Sequence, residues 1–237
     1  MLRALQQDLQ RAQNPAQAKV LRRFFKTGPG EYGEGDRFLG ITVPQSRAIA
    51  RKYQELPLLK IEQLLYSTLH EVRLIALLIL VEQFKKGTPS EQKIIYNFYL
   101  RHVRQVNNWD LVDLTAPKIV GAYLFEKDKK ILVALAHSRN LWERRIAIVS
   151  TFSFIRQDEY KNALKIAKLL IRDDHDLIHK AVGWMLREVG KRSLVTEEGF
   201  LEKYYRNMPR TMLRYAIERF PEAKRQKYLK NNPATDE

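Results

Sequence analysis

The sequence contains an internal repeat, in which short segments align without gaps around a small residue. The small residues are Ala76, Ala116, Ala147, Gly183 and Ala216. They lie 40, 31, 36 and 33 positions apart, the irregular spacing that degenerate helical-hairpin repeats show. Helical periodicity also dominates elsewhere, and alternation with a period of two hardly occurs. We therefore predict an all-α protein, a curved right-handed solenoid of HEAT-like helical hairpins that forms one domain over residues 1–237.

Prolines mark the boundaries of the predicted helices. Six of them fall where one amphipathic pattern stops and another begins: Pro15, Pro44, Pro57, Pro89, Pro209 and Pro221. Proline is tolerated in the first turn of a helix but not in its interior, so each position predicts the start of a new helix.

The charge of the chain indicates its partner. There are 42 Lys and Arg against 27 Asp and Glu, a formal net charge of +15, and basic residues recur from Arg3 to Lys230. This distribution favours an extended surface that binds nucleic acid. The chain has no cysteine, which excludes a disulfide scaffold, a thiolate nucleophile and any cysteine-ligated metal. We predict neither a metal nor another cofactor.

No segment predicts a membrane protein. The N-terminus lacks the uninterrupted apolar stretch of a signal peptide. The longest apolar run, Leu74 to Val81, is much shorter than the roughly 20 residues that a membrane span needs. We expect a cytoplasmic monomer that does not associate with membranes.

The repeat alignment predicts which residues line the concave groove of the solenoid. Arg73, Asp113, Arg144 and Lys180 share one repeat position, so three basic residues and one acidic residue face the groove. A carboxylate in a basic groove repels the phosphates that its neighbours attract. The position of Asp113 among basic residues therefore suggests that it takes part in a reaction.

Trp109 lies four residues before Asp113, so on a helix both project from one side. Two interpretations are open. In the first, Asp113 is a reacting group beside an exposed indole. In the second, Trp109 covers an apolar seam and Asp113 pairs with Arg144 or Arg145.

The segment after Asp176 separates into two helical faces. Lys180, Trp184, Arg187 and Lys191 form one stripe, at i, i+4, i+7 and i+11. The opposite face carries Ile178, Ala181, Val182, Met185 and Val189. Trp184 thus points away from the apolar face, which favours contact with a sugar or base over packing on a neighbouring repeat.

Trp142 has the opposite pattern. It shares a face with Ile146, Val149 and Ser153, so we assign it to the core. Arg144 and Arg145 lie on other faces of that helix, and at least one should reach phosphate.

Two further patterns have ordinary explanations. Gly28 to Gly35 contains a formal G-x-G-x-x-G, but no strand precedes it and its acidic residues would repel a pyrophosphate, so we predict a flexible connector. His175 and His179 have the i, i+4 spacing of metal ligands, but no further His or Cys cluster completes a site. Capping of a helix by the neighbouring aspartates is the better reading.

Several motifs together resemble the AlkD-type DNA alkylation repair proteins, which are HEAT-like-repeat DNA glycosylases. The resemblance covers nearly the whole chain. Its motifs are Phe38-Leu39-Gly40-Ile41-x-Val43-Pro44, Asn108-Trp109-Asp110-Leu111-Val112-Asp113, Leu141-Trp142-Glu143-Arg144-Arg145-Ile146-Ala147, His179-Lys180-Ala181-Val182-Gly183-Trp184-Met185-Leu186-Arg187-Glu188 and Met208-Pro209-Arg210.

The resemblance implies excision of cationic N3- and N7-alkylated purines from double-stranded DNA, without a base-flipping pocket. It implies that Trp109 and Trp184 contact the deoxyribose, that Asp113 is the catalytic carboxylate, and that Arg145 and Arg187 hold the DNA backbone. One departure lies at the N-terminal aromatic position of the family, where a tyrosine is replaced by the Phe24-Phe25 pair. Phe24 is then an apolar DNA contact without a hydroxyl.

Three functions compete at this stage. The first is the glycosylase, in which the carboxylate stabilises an oxocarbenium-like sugar. The second is a non-catalytic binder of damaged or branched DNA on the same basic groove, with Asp113 serving only as an ion-pair partner. The third is an adaptor whose groove binds an acidic peptide.

Overall fold

The computed structural model describes residues 1–233, and all regular structure in that range is helical. One isolated bridge joins Arg37 to Leu69. The predicted all-α fold is confirmed. The α-helices are α1 Leu2–Ala12, α2 Pro15–Phe24, α3 Val43–Lys52, α4 Leu58–Leu65, α5 His70–Lys86, α6 Pro89–Arg101, α7 Trp109–Ala116, α8 Ala122–Leu124, α9 Lys130–Ala136, α10 Leu141–Ser150, α11 Phe152–Ile155, α12 Lys161–Leu169, α13 Asp176–Gly190, α14 Leu194–Tyr204, α15 Arg210–Ala216 and α16 Glu222–Lys230.

Shorter helical turns fill several of the connections. The 3-10 turns are Val103–Gln105, Tyr205–Asn207 and Ile217–Arg219, and a π-helical turn spans Pro117–Gly121.

The prolines start helices as predicted. Pro15 and Pro89 are the first residues of α2 and α6. The Asn14 side chain caps α2 by accepting a hydrogen bond from the backbone N–H of Gln17 at 3.0 Å. At α6, Thr88 and Glu91 form a capping box, which satisfies two N–H groups that the first turn leaves without partners. Pro57, Pro209 and Pro221 immediately precede α4, α15 and α16.

The chain divides into two compact units, one from Met1 to Thr115 and one that begins at Ala116. The first unit is built around α5, which packs against α3, α4 and α6. Every residue of α5 from His70 to Val81 is buried. The longest apolar run of the sequence is therefore a core helix. Among the described residues, none of the helices has both the length and the apolar character that crossing a membrane requires.

A buried carboxylate organises the loop before α3. Glu71 accepts hydrogen bonds from the backbone N–H groups of Leu39 at 2.9 Å, Gly40 at 2.8 Å and Ile41 at 3.2 Å. Gly40 has a φ of +84°, and a Cβ there would lie 2.0 Å from the carbonyl oxygen of Asn14. Only glycine allows the loop to pass this close to the start of α2.

The second unit is built around α13, which packs against α10, α12, α14 and α15. A Cβ on Gly183 would lie 2.4 Å from the carbonyl oxygen of Met212, so this glycine lets α13 and α15 approach closely. All five small residues of the repeat alignment are buried. The repeat pattern in the sequence therefore marks positions where helices pack. Trp142 is 8% exposed, and its predicted core position is confirmed.

Candidate functional site

In the first unit, Trp109 and Asp113 lie one turn apart on α7, and both are half-buried. The intervening Leu111 and Val112 are fully buried and fix the helix against the core. The spacing that the sequence predicted therefore brings an indole and a carboxylate to one side of α7, at positions that solvent still reaches.

Beneath the start of α7 lies a buried network of charged side chains that the sequence did not predict. His70 lies between two carboxylates, with its Nδ1 3.1 Å from Asp36 Oδ2 and its Nε2 2.8 Å from Asp110 Oδ2. Arg73 donates to Asp36 Oδ1 at 2.7 Å, and the Asn108 side chain donates to Asp36 Oδ2 at 3.2 Å. All five side chains are buried. Two acids and two bases thus balance each other's charge, as burial of ionised groups requires.

The pKa values follow from this arrangement. Burial alone would lower the pKa of His70, but the hydrogen bonds with Asp110 and Asp36 outweigh it and raise the pKa to about 9. Burial alone would raise the pKa of Asp36, but the hydrogen bond with His70 and the charge of Arg73 keep it below the ordinary value. His70 is consequently an imidazolium at neutral pH, with both ring nitrogens donating.

An aromatic column connects this network to Trp109. Phe25 stacks on the Trp109 ring at 5.0 Å between centroids, with 18° between the planes. Phe25 also lies 4.9 Å from the His70 ring and stacks on Phe38 at 5.1 Å. Phe24 meets Trp109 edge-on at 5.6 Å and is 61% exposed. The Phe24-Phe25 pair therefore has two roles, because one ring supports Trp109 and the other is open to solvent.

The position of Arg73 corrects a sequence prediction. We expected it to line a groove and contact phosphate, but it is only 4% exposed. Its guanidinium is held by Asp36 and by the carbonyl oxygen of Ser67 at 2.9 Å. The repeat register gave the correct helix but could not show that a carboxylate from a distant loop closes over this side chain.

In the second unit, the predicted stripe of α13 is present and its opposite face is buried. The cations of the stripe are paired with carboxylates. Lys180 pairs with Asp176 at 2.5 Å, Lys191 with Glu188 at 2.6 Å, and Arg187 with Glu218.

Trp184 is half-buried at the centre of the stripe, and its ring lies 5.6 Å from Phe152. It therefore neither joins the core of α13 nor stands free in solvent.

The two arginines of α10 differ. Arg144 is half-buried, and its Nε donates to Asp173 at 2.6 Å. Arg145 is 5% exposed and donates to the carbonyl oxygen of Leu177. The Arg145 side chain is therefore buried, and its contact with phosphate stays a prediction. The neighbouring Arg144 is the one with access to solvent.

The structure differs in detail from what we predicted for the histidine pair at the start of α13 and for the glycine-rich loop. His175, rather than an aspartate, caps α13, because its Nδ1 accepts from the backbone N–H of Leu177 at 3.1 Å. In the glycine-rich loop, Glu31 accepts from the N–H of Gly28 at 2.7 Å and Glu34 from that of Gly30 at 2.8 Å. The loop is a series of turns held by its own carboxylates, so each of these two N–H groups already donates to an acidic side chain.

Comparison with known proteins identifies the class to which this helical, strongly basic chain belongs. A family model described as DNA alkylation repair enzyme matches residues 5–220, and the chain belongs to that family. The family assigns it to the repair of alkylated DNA, with DNA as its partner.

A solved structure shares the fold. It is described as "Predicted DNA alkylation repair enzyme from Enterococcus faecalis", and it matches with a TM-score of 0.69 and 18% identity over 89% of this chain and 97% of that chain. Comparison with curated protein sequences finds no significant match.

Proposed function

We propose that this protein is a monofunctional DNA glycosylase that excises cationic N3- and N7-alkylated purines from duplex DNA, with Asp113 as the catalytic carboxylate. The observation that carries the proposal is the pairing of Trp109 with Asp113 on one side of α7, where both are half-buried. An acid at an accessible position opposes DNA binding in a chain with a net charge of +15, which supports a role for Asp113 in a reaction.

The chemistry suits a site with a carboxylate and no strong general acid. A purine alkylated at N3 or N7 already carries a positive charge, so it leaves as a neutral base without prior protonation. The developing charge lies on the sugar, which resembles an oxocarbenium ion. A fixed carboxylate near C1′ stabilises that state more than the ground state, and it can also orient the attacking water.

The indoles supply the second part of the proposed mechanism. The π-face of a tryptophan attracts a cation with roughly 0.5–2 kcal/mol, depending on how far the contact is desolvated. Trp109 on α7 and Trp184 on α13 are the two half-buried tryptophans, and each is proposed to contact the deoxyribose of the damaged nucleotide. Recognition of charge and sugar rather than base edges would admit bulky adducts and reject neutral lesions.

The remaining DNA contacts are assigned to the accessible cations. These are Lys180 and Arg187 of α13, Lys191 at the C-cap of that helix, and Arg144 of α10. Each already has a carboxylate partner. Lys180 and Asp176 are both accessible, and such an exposed ion pair contributes only about 0–1 kcal/mol, so a phosphate can replace Asp176 at little cost. Phe24 would supply an apolar contact beside Trp109.

The direct test is release of free alkylated base from a duplex that contains one N7-alkylguanine, under single-turnover conditions. Wild-type protein should release the base and leave an abasic site with an intact strand. Salt-sensitive duplex binding without release would instead identify a non-catalytic DNA binder. Absence of salt-sensitive binding to any duplex would point to a protein adaptor, because phosphate contacts make log affinity fall steeply with log salt.

A further inference from the structure

The geometry points to His70 as a positioning residue: clamped between Asp36 and Asp110, it sets the ring of Trp109 and the first turn of α7, and through them the placement of Asp113. The inference rests on the proposed function for its catalytic consequence. Its structural part concerns only contacts within the first unit.

The two residues next to Trp109 in the chain are both hydrogen-bonded to the buried pair of His70 and Asp36. On one side, Asn108 donates to Asp36 at 3.2 Å and accepts from the Trp109 backbone N–H at 2.8 Å. On the other side, Asp110 binds His70 at 2.8 Å with one oxygen and accepts from the Leu111 N–H at 2.8 Å with the other. Trp109 thus lies between Asn108 and Asp110, whose side-chain positions both depend on the network. A shift of the imidazole would move both ends of the first turn of α7.

The His70 imidazole also supports the ring of Trp109, through Phe25. Phe25 lies between the indole and the imidazole, at 5.0 Å from one and 4.9 Å from the other. Phe38 stacks on the imidazole at 4.7 Å, with 22° between the planes. The face of His70 therefore sets the tilt of Phe25, and the tilt of Phe25 sets the plane in which Trp109 is presented.

A buried ionic network is a costly way to gain stability, since well-packed apolar side chains of the same volume would stabilise this region at least as well. What such a network adds is a fixed orientation of its side chains. The two ring nitrogens lie at a fixed angle, so they hold Asp36 and Asp110 at one separation and one orientation. A fixed orientation suits this site, because its proposed chemistry depends on the positions of the Asp113 carboxylate and the Trp109 indole.

The first experiment measures Trp109 without reference to activity. The full chain is labelled with 5-fluorotryptophan, and its three ¹⁹F resonances are assigned with Trp→Phe variants. In His70→Gln we expect the Trp109 resonance to shift or broaden, while those of Trp142 and Trp184 keep their positions. His102→Gln is the matched control. His102 is a buried histidine of the same unit that bridges the Phe98 carbonyl oxygen and Glu62, and its loss should leave all three resonances unchanged.

The second experiment tests the catalytic consequence. We expect His70→Gln to slow single-turnover base release by about 100-fold, the effect of a small misplacement of reacting groups. Its affinity for undamaged duplex should change by less than about threefold, because the buried network contributes no phosphate contact. The His102→Gln control should react at the wild-type rate.

The outcomes are distinct. An unmoved Trp109 resonance in folded His70→Gln overturns the inference, and so does a moved resonance with an unchanged rate. If His70→Gln does not fold, Asp110→Asn decides, since it removes the carboxylate from the imidazolium and keeps an oxygen for the Leu111 N–H. A moved Trp109 resonance in protein whose wild-type form releases no base would leave the positioning intact and refute the glycosylase instead.

Discussion

Glu188 holds the polar edge of Trp184, because the indole Nε1 donates to its Oε1 over 3.1 Å. The same oxygen accepts from Lys191 at 2.6 Å. One carboxylate therefore fixes an indole and neutralises a cation on the stripe proposed to meet DNA. Replacing it by an amide separates these two roles, because glutamine can still accept from the indole but carries no negative charge to neutralise the lysine.

We expect Glu188→Gln to bind duplex DNA more tightly, by roughly fivefold if the released pair is worth about 1 kcal/mol. The plot of log affinity against log salt should become steeper by about one unit, since Lys191 becomes available to a phosphate. Fluorescence anisotropy titrations at several salt concentrations would measure both quantities. The exposed Glu126 provides a control. Equal gains in Glu188→Gln and Glu126→Gln would indicate a general charge effect and contradict a specific contact of Lys191.

Trp184 and Trp142 should respond differently to truncation. Trp184 is half-buried and Trp142 is buried. For Trp184→Ala we expect base release to slow by roughly 2- to 30-fold, the range that corresponds to loss of one cation–π contact. Its fold should be retained. For Trp142→Ala we expect a loss of about 3–5 kcal/mol in the free energy of unfolding. Urea denaturation of both variants would check this, and a collapse of Trp184→Ala would mark Trp184 as structural.

Asp113→Asn should abolish base release and leave duplex affinity equal or higher. The amide keeps the shape of the side chain but cannot stabilise an oxocarbenium-like sugar. It also removes one charge that repels phosphate. Single-turnover kinetics and equilibrium binding on the same alkylated duplex would test both parts. The exposed Asp128, replaced by Asn, controls for the charge alone. Wild-type turnover in Asp113→Asn would eliminate the catalytic assignment.

The sequence predicted those parts of the molecule that depend on neighbours along one helix. Period 3.6 placed Trp142 in the core, separated the two faces of α13 and put Trp109 and Asp113 on one side of α7, because each of these relations spans only a few turns.

The same reasoning failed for Arg73 and overlooked His70. Their burial depends on Asp36, which lies more than thirty positions away in a loop whose path no periodicity describes. Asn108 and Asp110 carried a signal, since polar residues on both sides of a half-buried indole require a reason. The sequence offered no rule to say which buried base they would meet.

The stability of the protein should fall as the pH rises through the titration of His70. The pKa of His70 in the folded state is raised to about 9 from 6.5. The network's contribution is therefore complete below pH 6.5 and is lost as the pH approaches 9. The difference is on the order of 3 kcal/mol in the free energy of unfolding. Urea midpoints of the wild type and of His70→Gln at pH 6 and pH 9.5 would measure it. The two proteins should converge at the higher pH, and a constant gap between them would contradict the prediction.

A buried acid should make the other unit less stable as the pH rises from 4.5 to 8. Glu197 is 2% exposed, and its Oε1 has no hydrogen-bond partner among the described residues. Burial, with the charge of Glu198 adding to it, raises the pKa of Glu197 to about 8, against the opposing pull of Arg187 and Lys224. A folded-state pKa above the ordinary 4.5 means that Glu197 destabilises the fold increasingly between pH 4.5 and 8.

Glutamine at this position cannot ionise, so Glu197→Gln should escape that loss. We expect wild type and variant to have similar urea midpoints at pH 5, and the variant to be more stable by a few kcal/mol at pH 9. Glu202→Gln is the matched control, because Glu202 lies on the same helix, α14, but is exposed. Parallel pH profiles for wild type and Glu197→Gln would show that Glu197 stays ionised and paired. That result would contradict the raised pKa of Glu197. It would also mean that a cation lies close enough to replace the hydration that the buried carboxylate has lost.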